Sequence, residues 1–299
     1  NNLIIFAHIM TPETPSNKEG ILAQKPILVF IWAVLPVILI FSATFNTGAE
    51  NLDLGSQYSI LQLSLMQVLS VLIMLVIPAI VIAYFYKKEV WSFLNLNKKP
   101  SFLLIGISIA LILSGNLFLN YLVELNQMIP LSASLQAKFQ ALQDATTTAQ
   151  NQFLGFEGLI EFAVVFFTMA IFPALSEEMY FRGLIEGVLI DLKLKAPHVI
   201  FISSLLFAMM HFQFYYMLPL LFMGALLGYI YYRTRNLWYS IIVHLVNNGL
   251  IVLITASNKA NISQIDLEAN PSLWTSILGI CTFGLLLYFF HLKTEKTKE

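Results

Sequence analysis

Charged residues stand inside an otherwise apolar stretch at Ser176-Glu177-Glu178-Met179-Tyr180-Phe181-Arg182. On a helix, Glu178 and Arg182 are four residues apart and can pair on one face. Glu177 points about 100° away from that face, so it lacks this partner. The spacing therefore predicts one structural carboxylate and one carboxylate that is free for chemistry. The alternative is a buried ion network of all three residues that only locks helix packing.

Two further polar groups follow along the chain. His211 ends the apolar run Phe207-Ala-Met-Met-His, and His244 and Asn248 are four apart, so that they share a helix face. A lone histidine such as His211 is more often a packing residue, and His244 with Asn248 could simply hydrogen-bond between helices. Asn247 competes for the inward direction, but helical phase favours Asn248.

Together these residues have the chemistry of a hydrolase. Glu177 would remove a proton from water as general base, and His211 would hold the same water and shuttle the proton. His244 and Asn248 would donate hydrogen bonds to the oxyanion that forms at an attacked carbonyl. The spacing alone makes this hydrolysis plausible without making it specific.

The composition places the chain in a membrane. Of 299 residues, 58% are hydrophobic and 11% are charged, and the mean hydropathy is +0.76. Soluble domains carry roughly 25% charged residues. The net charge of −1 argues against nucleic acid as a partner. The single cysteine, Cys281, excludes an intramolecular disulfide and gives too few thiolates for a zinc or iron–sulfur site.

Long uncharged stretches predict eight spans, since a membrane helix needs about 20 apolar residues. Five lie between charged residues. A shorter stretch, the fourth span in chain order, runs from Leu159 to about Leu175, just before the first polar cluster. The stretch between Lys195 and Arg233 is too long for one span and should fold back at Phe212-Gln213-Phe214. The five stretches lie at Lys25–Glu50, Asp53–Lys87, Lys99–Glu124, Arg235–Lys259 and Glu268–Lys293.

Basic residues predict the orientation, because Lys and Arg concentrate in cytoplasmic loops. With eight spans and both termini in the cytoplasm, only Lys138 and Lys259 lie outside. The predicted fold is thus an all-α polytopic membrane protein with a polar catalytic cavity between spans four, five and seven. The cytoplasmic basic residues would be Lys18, Lys25, Lys87, Lys88, Lys98, Lys99, Lys193, Lys195, Arg233, Arg235, Lys293, Lys296 and Lys298.

The sequence predicts one membrane domain with short flanking segments. We expect an N-terminal arm at 1–26, the eight-helix domain at 27–292, and a cytoplasmic tail at 293–299. Residues 124–156 form the longest polar connection, in which an amphipathic helix is expected on the outer side.

Three motifs, which follow one another along the chain on predicted spans four, five and seven, resemble a known family: the type II CAAX prenyl endopeptidases and bacteriocin-processing proteases, also called the Abi family. The motifs lie within residues 177–248, about a quarter of the chain. They read Glu177-Glu178-x-x-x-Arg182, Phe207-x-x-x-His211 and His244-x-x-x-Asn248.

The resemblance implies a role for each motif residue. Glu177 would activate water with His211 as its partner, and His244 with Asn248 would form the oxyanion site. The supporting residues would be Glu178, Arg182 and Phe207. The resemblance also implies eight helices and a mechanism with no metal and no cofactor.

The predicted function is therefore a membrane endopeptidase that acts on a membrane-associated peptide or protein, with a prenylated CAAX sequence as one candidate. Its other partner would be membrane lipid, and its location the bacterial plasma membrane, or the endoplasmic reticulum in a eukaryote. Two alternatives remain at this point. One is a transporter or proton relay, because these also use intramembrane carboxylates and histidines. The other is a non-proteolytic immunity or scaffold protein of the same fold.

Overall fold

A computed structural model describes residues 20–47, 58–266 and 272–295, and the regular structure in these ranges is helical. Residues 1–19 of the predicted N-terminal arm and residues 296–299 of the predicted tail lie outside these ranges. The helices are α1 (Pro26–Thr47), α2 (Ile60–Lys87), α3 (Val90–Phe93), α4 (Phe102–Asn116), α5 (Leu119–Gln127), α6 (Ala133–Leu154), α7 (Gly158–Asp191), α8 (Ala196–Met209), α9 (Met217–Thr234), α10 (Leu237–Lys259) and α11 (Leu273–Glu295).

Within the described ranges, six helices are long and apolar enough to cross a membrane: α1, α2, α7, α9, α10 and α11. The pair α4 and α5, bent by 45°, makes a seventh if it counts as one span. Helix α8 is apolar but has 14 residues, which give a length of about 21 Å against a hydrocarbon core of about 30 Å. Eight spans and cytoplasmic termini therefore stay predictions.

The predicted fold-back between α8 and α9 is present at the expected place. The chain reverses over residues 210–216, where Phe212 has a φ of 55° and Phe214–Tyr216 form one 3₁₀ turn. Asn126, fully buried at the end of α5, donates to the Phe214 carbonyl and accepts from the Leu218 amide, each over 2.8 Å. These bonds fasten the turn to α5 and give its backbone groups partners within the protein, as a turn covered by protein requires.

Helix α7 differs from the prediction. The fourth span was expected to end near Leu175, but the helix continues through the polar cluster to Asp191. The reason is that Glu178 and Arg182 are both fully buried and neutralise each other within the helix. The first polar motif therefore lies in the interior of a 34-residue helix and not at its end.

Three segments of wider π-helical turns interrupt the long helices. Two of them, Leu72–Val76 in α2 and Phe167–Ile171 in α7, are followed two residues later by Pro78 and Pro173. Proline lacks an N–H group and clashes with the carbonyl four residues earlier, which falls inside each segment, so a wider turn relieves the clash. The third, Met179–Glu186, contains no proline and follows Glu178 directly.

Helix α9 approaches its neighbours closely at two glycines spaced four apart, the small-residue spacing that lets membrane helices come together. A Cβ atom added at Gly224 would lie 3.0 Å from both the Cα and the Cβ of Ser204 on α8. The other glycine, Gly228, faces α7, since its added Cβ would lie 2.5 Å from Oε1 of Glu186.

We expect Gly224→Ala to destabilise the protein by about 1–3 kcal/mol, because the added methyl group meets backbone atoms of α8 that must move. The measurement is the free energy of unfolding in mixed detergent micelles as the denaturing detergent fraction rises. Gly284→Ala on α11 is the matched control, because nothing lies within 4 Å of its added Cβ. Equal stability of the two variants would contradict the prediction.

Candidate functional site

Glu178 is the buried centre of the polar cluster. Its Oε1 atom accepts a hydrogen bond from Nη1 of Arg182 over 3.0 Å, the pair that the four-residue spacing predicts. The same Oε1 lies 2.9 Å from Nδ1 of His244 on α10, a contact that the sequence did not indicate. Arg182 also donates from Nη2 to the Gly224 carbonyl on α9 over 3.1 Å. The ion pair thus joins α7, α9 and α10.

Glu177 points away from this pair and faces two imidazoles. Its Oε2 atom lies 4.0 Å from Nε2 of His211 and 3.9 Å from Nε2 of His244. Both distances exceed a hydrogen bond, and Oε2 makes none among the described residues although the atom is buried. One water at about 2.8 Å from Oε2 and from an Nε2 atom would make an angle of about 90° between them. The spacing therefore fits a single bridging water.

His211 follows the last turn of α8, at the start of the fold-back. Its Nδ1 atom lies 2.8 Å from the Phe207 carbonyl. Because a carbonyl oxygen only accepts, Nδ1 carries the hydrogen, and in the neutral ring Nε2 is left as an acceptor. The nitrogen that faces Glu177 can therefore accept a hydrogen bond from water.

Phe207 lies at the centre of the site. Its ring centroid is 4.6 Å from that of His211 and 5.9 Å from that of His244. The Arg182 guanidinium lies 4.6 Å from the same centroid, in cation–π distance. Because Phe207 is fully buried, one apolar ring keeps both imidazoles and the guanidinium in place.

His244 is 3% exposed and lies between the two carboxylates. When Nδ1 donates to Glu178, Nε2 can donate only if the ring carries a hydrogen on both nitrogens. That imidazolium would face Glu178 on one side and Glu177 on the other, so its charge would have a partner at each nitrogen.

Asn248 lies one turn beyond His244 on α10, about 6 Å along the helix axis. Its side chain is half-buried, and its Oδ1 atom accepts from Nδ2 of Asn247 over 3.3 Å. Among the described residues it makes no hydrogen bond to Glu177, His211 or His244. The structure therefore brings three of the four predicted polar groups together and places the fourth one turn away.

The comparisons bear on the chain segment that carries these residues. Residues 159–250 match the Rce1-like type II CAAX prenyl endopeptidase family. This match, over the region that contains all three motifs, confirms the resemblance predicted from the sequence. We refer to residues 159–250 as the Rce1-like region.

A curated relative agrees with this match. The membrane-embedded CAAX protease MroQ of Staphylococcus aureus (strain USA300) is 32% identical over 113 residues, which cover 36% of this chain and 44% of that protein. The chain thus spans less than half the length of the curated relative it matches. No solved structure matches. With its long apolar helices, the protein is an integral membrane protein.

The Rce1-like region holds one buried acid that the sequence reasoning missed. Glu186 on α7 is fully buried, and neither of its carboxyl oxygens makes a hydrogen bond among the described residues. The spacing of Glu178, Arg182 and Glu186, each four residues apart, was a signal that could have found it. Glu186 packs against Gly228 and forms no ion pair with His211 or His244 in the described structure.

The carboxylates and imidazoles of the site are also the side chains that bind metal ions in other proteins. Within the described ranges, no three or more His, Cys, Asp or Glu side chains are arranged to hold a metal ion. The metal-free mechanism implied by the resemblance stays a prediction, and a chelator experiment tests it below.

Proposed function

We propose that the protein is a membrane endopeptidase that hydrolyses a peptide bond with water held between Glu177 and His211. The observation that carries the proposal is the position of Glu177 Oε2, 4.0 Å from Nε2 of His211 and 3.9 Å from Nε2 of His244. A carboxylate and an acceptor nitrogen at this separation can bind the two hydrogens of one water. The match of the Rce1-like region to an endopeptidase family supports the reaction class.

The proposed reaction begins with the water oxygen attacking the carbonyl carbon of the scissile peptide bond. Glu177 accepts one hydrogen of the water as a proton, while the other hydrogen stays on the oxygen and forms a hydrogen bond to Nε2 of His211. The tetrahedral intermediate then collapses, the carbon–nitrogen bond breaks, and Glu177 returns its proton to the leaving amine. The products are a carboxylic acid, which ionises, and an amine, so Glu177 ends in its starting state.

The negative oxygen of the tetrahedral intermediate needs hydrogen-bond donors. We propose Nε2–H of the His244 imidazolium and Nδ2–H of Asn248 as these donors. Glu178 binds Nδ1 of His244 through Oε1, and Arg182 donates to the same Oε1 atom. Such preorganised donors are worth roughly 2.7–4 kcal/mol each in transition-state stabilisation.

We propose a membrane-associated peptide or protein as the substrate, with a prenylated cysteine near its C-terminus as the first chemistry to test. The names of the matched family and of the relative both refer to CAAX substrates. The excess of basic residues in the predicted cytoplasmic loops supports entry from the cytoplasmic side of a bacterial plasma membrane.

The experiment uses the full chain reconstituted in phospholipid vesicles and a quenched fluorescent peptide with a farnesylated cysteine four residues from its C-terminus. A peptide of the same sequence without the farnesyl group is the matched probe. We expect cleavage with or without chelator, with the new termini assigned by mass spectrometry. Cleavage that is lost with chelator and restored by zinc would contradict the metal-free mechanism, and equal cleavage of both peptides would contradict prenyl recognition.

A further inference from the structure

A chain of three side-chain amides runs from α4 to α10 beside the site. Asn116, the last residue of α4, donates from Nδ2 to Oδ1 of Asn247 over 3.3 Å. Asn247 in turn donates from Nδ2 to Oδ1 of Asn248 over 3.3 Å. The family motifs include only Asn248 of these three residues. The amide chain therefore adds Asn116 and Asn247 to the neighbourhood of the proposed site.

The direction of this amide chain determines which group of Asn248 is free. An amide has one oxygen that accepts and one nitrogen that donates. Because Asn247 donates to Asn248, the Oδ1 of Asn248 is occupied, and its Nδ2 makes no hydrogen bond among the described residues. In the opposite direction, the Asn248 amide would be rotated by 180°, so that Nδ2 would face Asn247 with one of its two hydrogens and Oδ1 would take the position that Nδ2 now has.

We propose that Asn116 and Asn247 are positioning residues that hold Asn248 with its Nδ2–H free to donate to the oxyanion. This inference rests on the proposed peptidase function and names the residues that orient Asn248. An oxyanion accepts hydrogen bonds and repels another oxygen, so only the observed direction of the chain supports the reaction.

The buried oxygen of the half-buried Asn116 argues that its bond to Asn247 has a purpose beyond packing. The Oδ1 atom of Asn116 is buried and makes no hydrogen bond among the described residues. A buried oxygen without a hydrogen bond costs free energy, and an apolar residue at this position would avoid that cost. If the amide chain served only to join α4 and α10, its hydrogen bonds would be equally strong in either direction. The orientation of Asn248, in contrast, depends on the direction in which the amides donate.

The test compares aspartate with alanine at both positions. The variants Asn116→Asp and Asn247→Asp each introduce a carboxylate, which accepts hydrogen bonds and donates none. Asn247→Asp would accept directly from Nδ2 of Asn248, and Asn116→Asp would reverse the chain so that Asn247 accepts from that same Nδ2. Asn116→Ala removes the first bond of the amide chain and Asn247→Ala removes both bonds, and neither variant introduces a new acceptor for Nδ2 of Asn248.

The assay uses the farnesylated peptide and the reconstituted full chain. We expect each aspartate variant to lower kcat about 100-fold, since it removes an oxyanion donor, and each alanine variant to lower kcat less than about 10-fold. KM should stay within about twofold of the parent value, because the oxyanion forms after binding. Melting temperature in detergent is measured for every variant, and position 247 is decisive because Asn247 is half-buried and bonds directly to Asn248.

The inference is overturned if Asn247→Asp and Asn247→Ala have the same kcat, or if both retain the parent value. It is also overturned if the loss appears in KM and not in kcat. Its failure is distinct from failure of the proposed function, which Glu177→Gln tests in the same assay. Loss of cleavage in Glu177→Gln with unchanged kcat in all four asparagine variants would reject only the positioning role.

Discussion

Replacing Glu177 with glutamine should abolish peptide-bond cleavage while the protein remains folded. Glutamine has the same shape as glutamate, but its amide cannot accept a proton from water. Because a general base contributes roughly 10²–10⁴-fold, we expect kcat to fall about 1000-fold. The fold should tolerate the change, since Glu177 Oε2 makes no hydrogen bond among the described residues.

The measurement is cleavage of the farnesylated peptide by parent and variant in vesicles, with unfolding in detergent as the readout of folding. Glu157→Gln is the matched control, because Glu157 is an exposed carboxylate next to the start of the same helix. We expect this control to cleave at the parent rate. Parent-like cleavage by Glu177→Gln would reject the mechanism, and a large loss of stability would indicate that Glu177 is structural.

Local spacing was enough to predict several parts of the site. The four-residue interval between Glu178 and Arg182 predicts their pairing, because it places them on one helix face, and the structure has this pair. The same geometry leaves Glu177 outside the pair, and it does face the histidines instead. The fold-back at Phe212-Gln213-Phe214 was predictable because an uncharged stretch of that length exceeds one membrane thickness.

Contacts between helices that are distant in the chain were not predictable in the same way. His244 bonds to Glu178, 66 positions earlier, and Asn247 bonds to Asn116, 131 positions earlier. Periodicity along one helix gives the face of each residue, but not the height at which another helix crosses it. The resemblance implied a group of residues in one site without indicating these pairings.

The error at the end of α7 has a related cause. Charged residues were used as markers of helix ends, which holds when each charge must reach water. Glu178 and Arg182 satisfy each other inside the protein, so the helix continues past them. The π-helical segment Met179–Glu186 has no proline to indicate it in the sequence. The wider turns of this segment could therefore not be predicted from the sequence.

Arg182→Met should cause a large loss of stability. Removing the guanidinium leaves the fully buried Glu178 with His244 as its one remaining side-chain donor among the described residues, and breaking a buried pair in this way costs about 3–5 kcal/mol. The Gly224 carbonyl also loses its donor. We expect unfolding in detergent to shift by this amount, whereas Lys87→Met should cost less than about 1 kcal/mol, because the Lys87–Asp191 pair is partly exposed. A loss for Arg182→Met as small as that of Lys87→Met would contradict the assignment.

The double variant Glu178→Leu with Arg182→Met separates stability from catalysis. Because the guanidinium and the carboxylate are removed together, neither is left buried without the other, and we expect the double variant to be more stable than Arg182→Met alone. It should nevertheless be inactive, since His244 loses the carboxylate that binds its Nδ1 atom. Recovered stability with lost cleavage would mean that the pair is retained for the orientation and charge of His244. Recovered cleavage would mean that the pair only fills space between α7, α9 and α10.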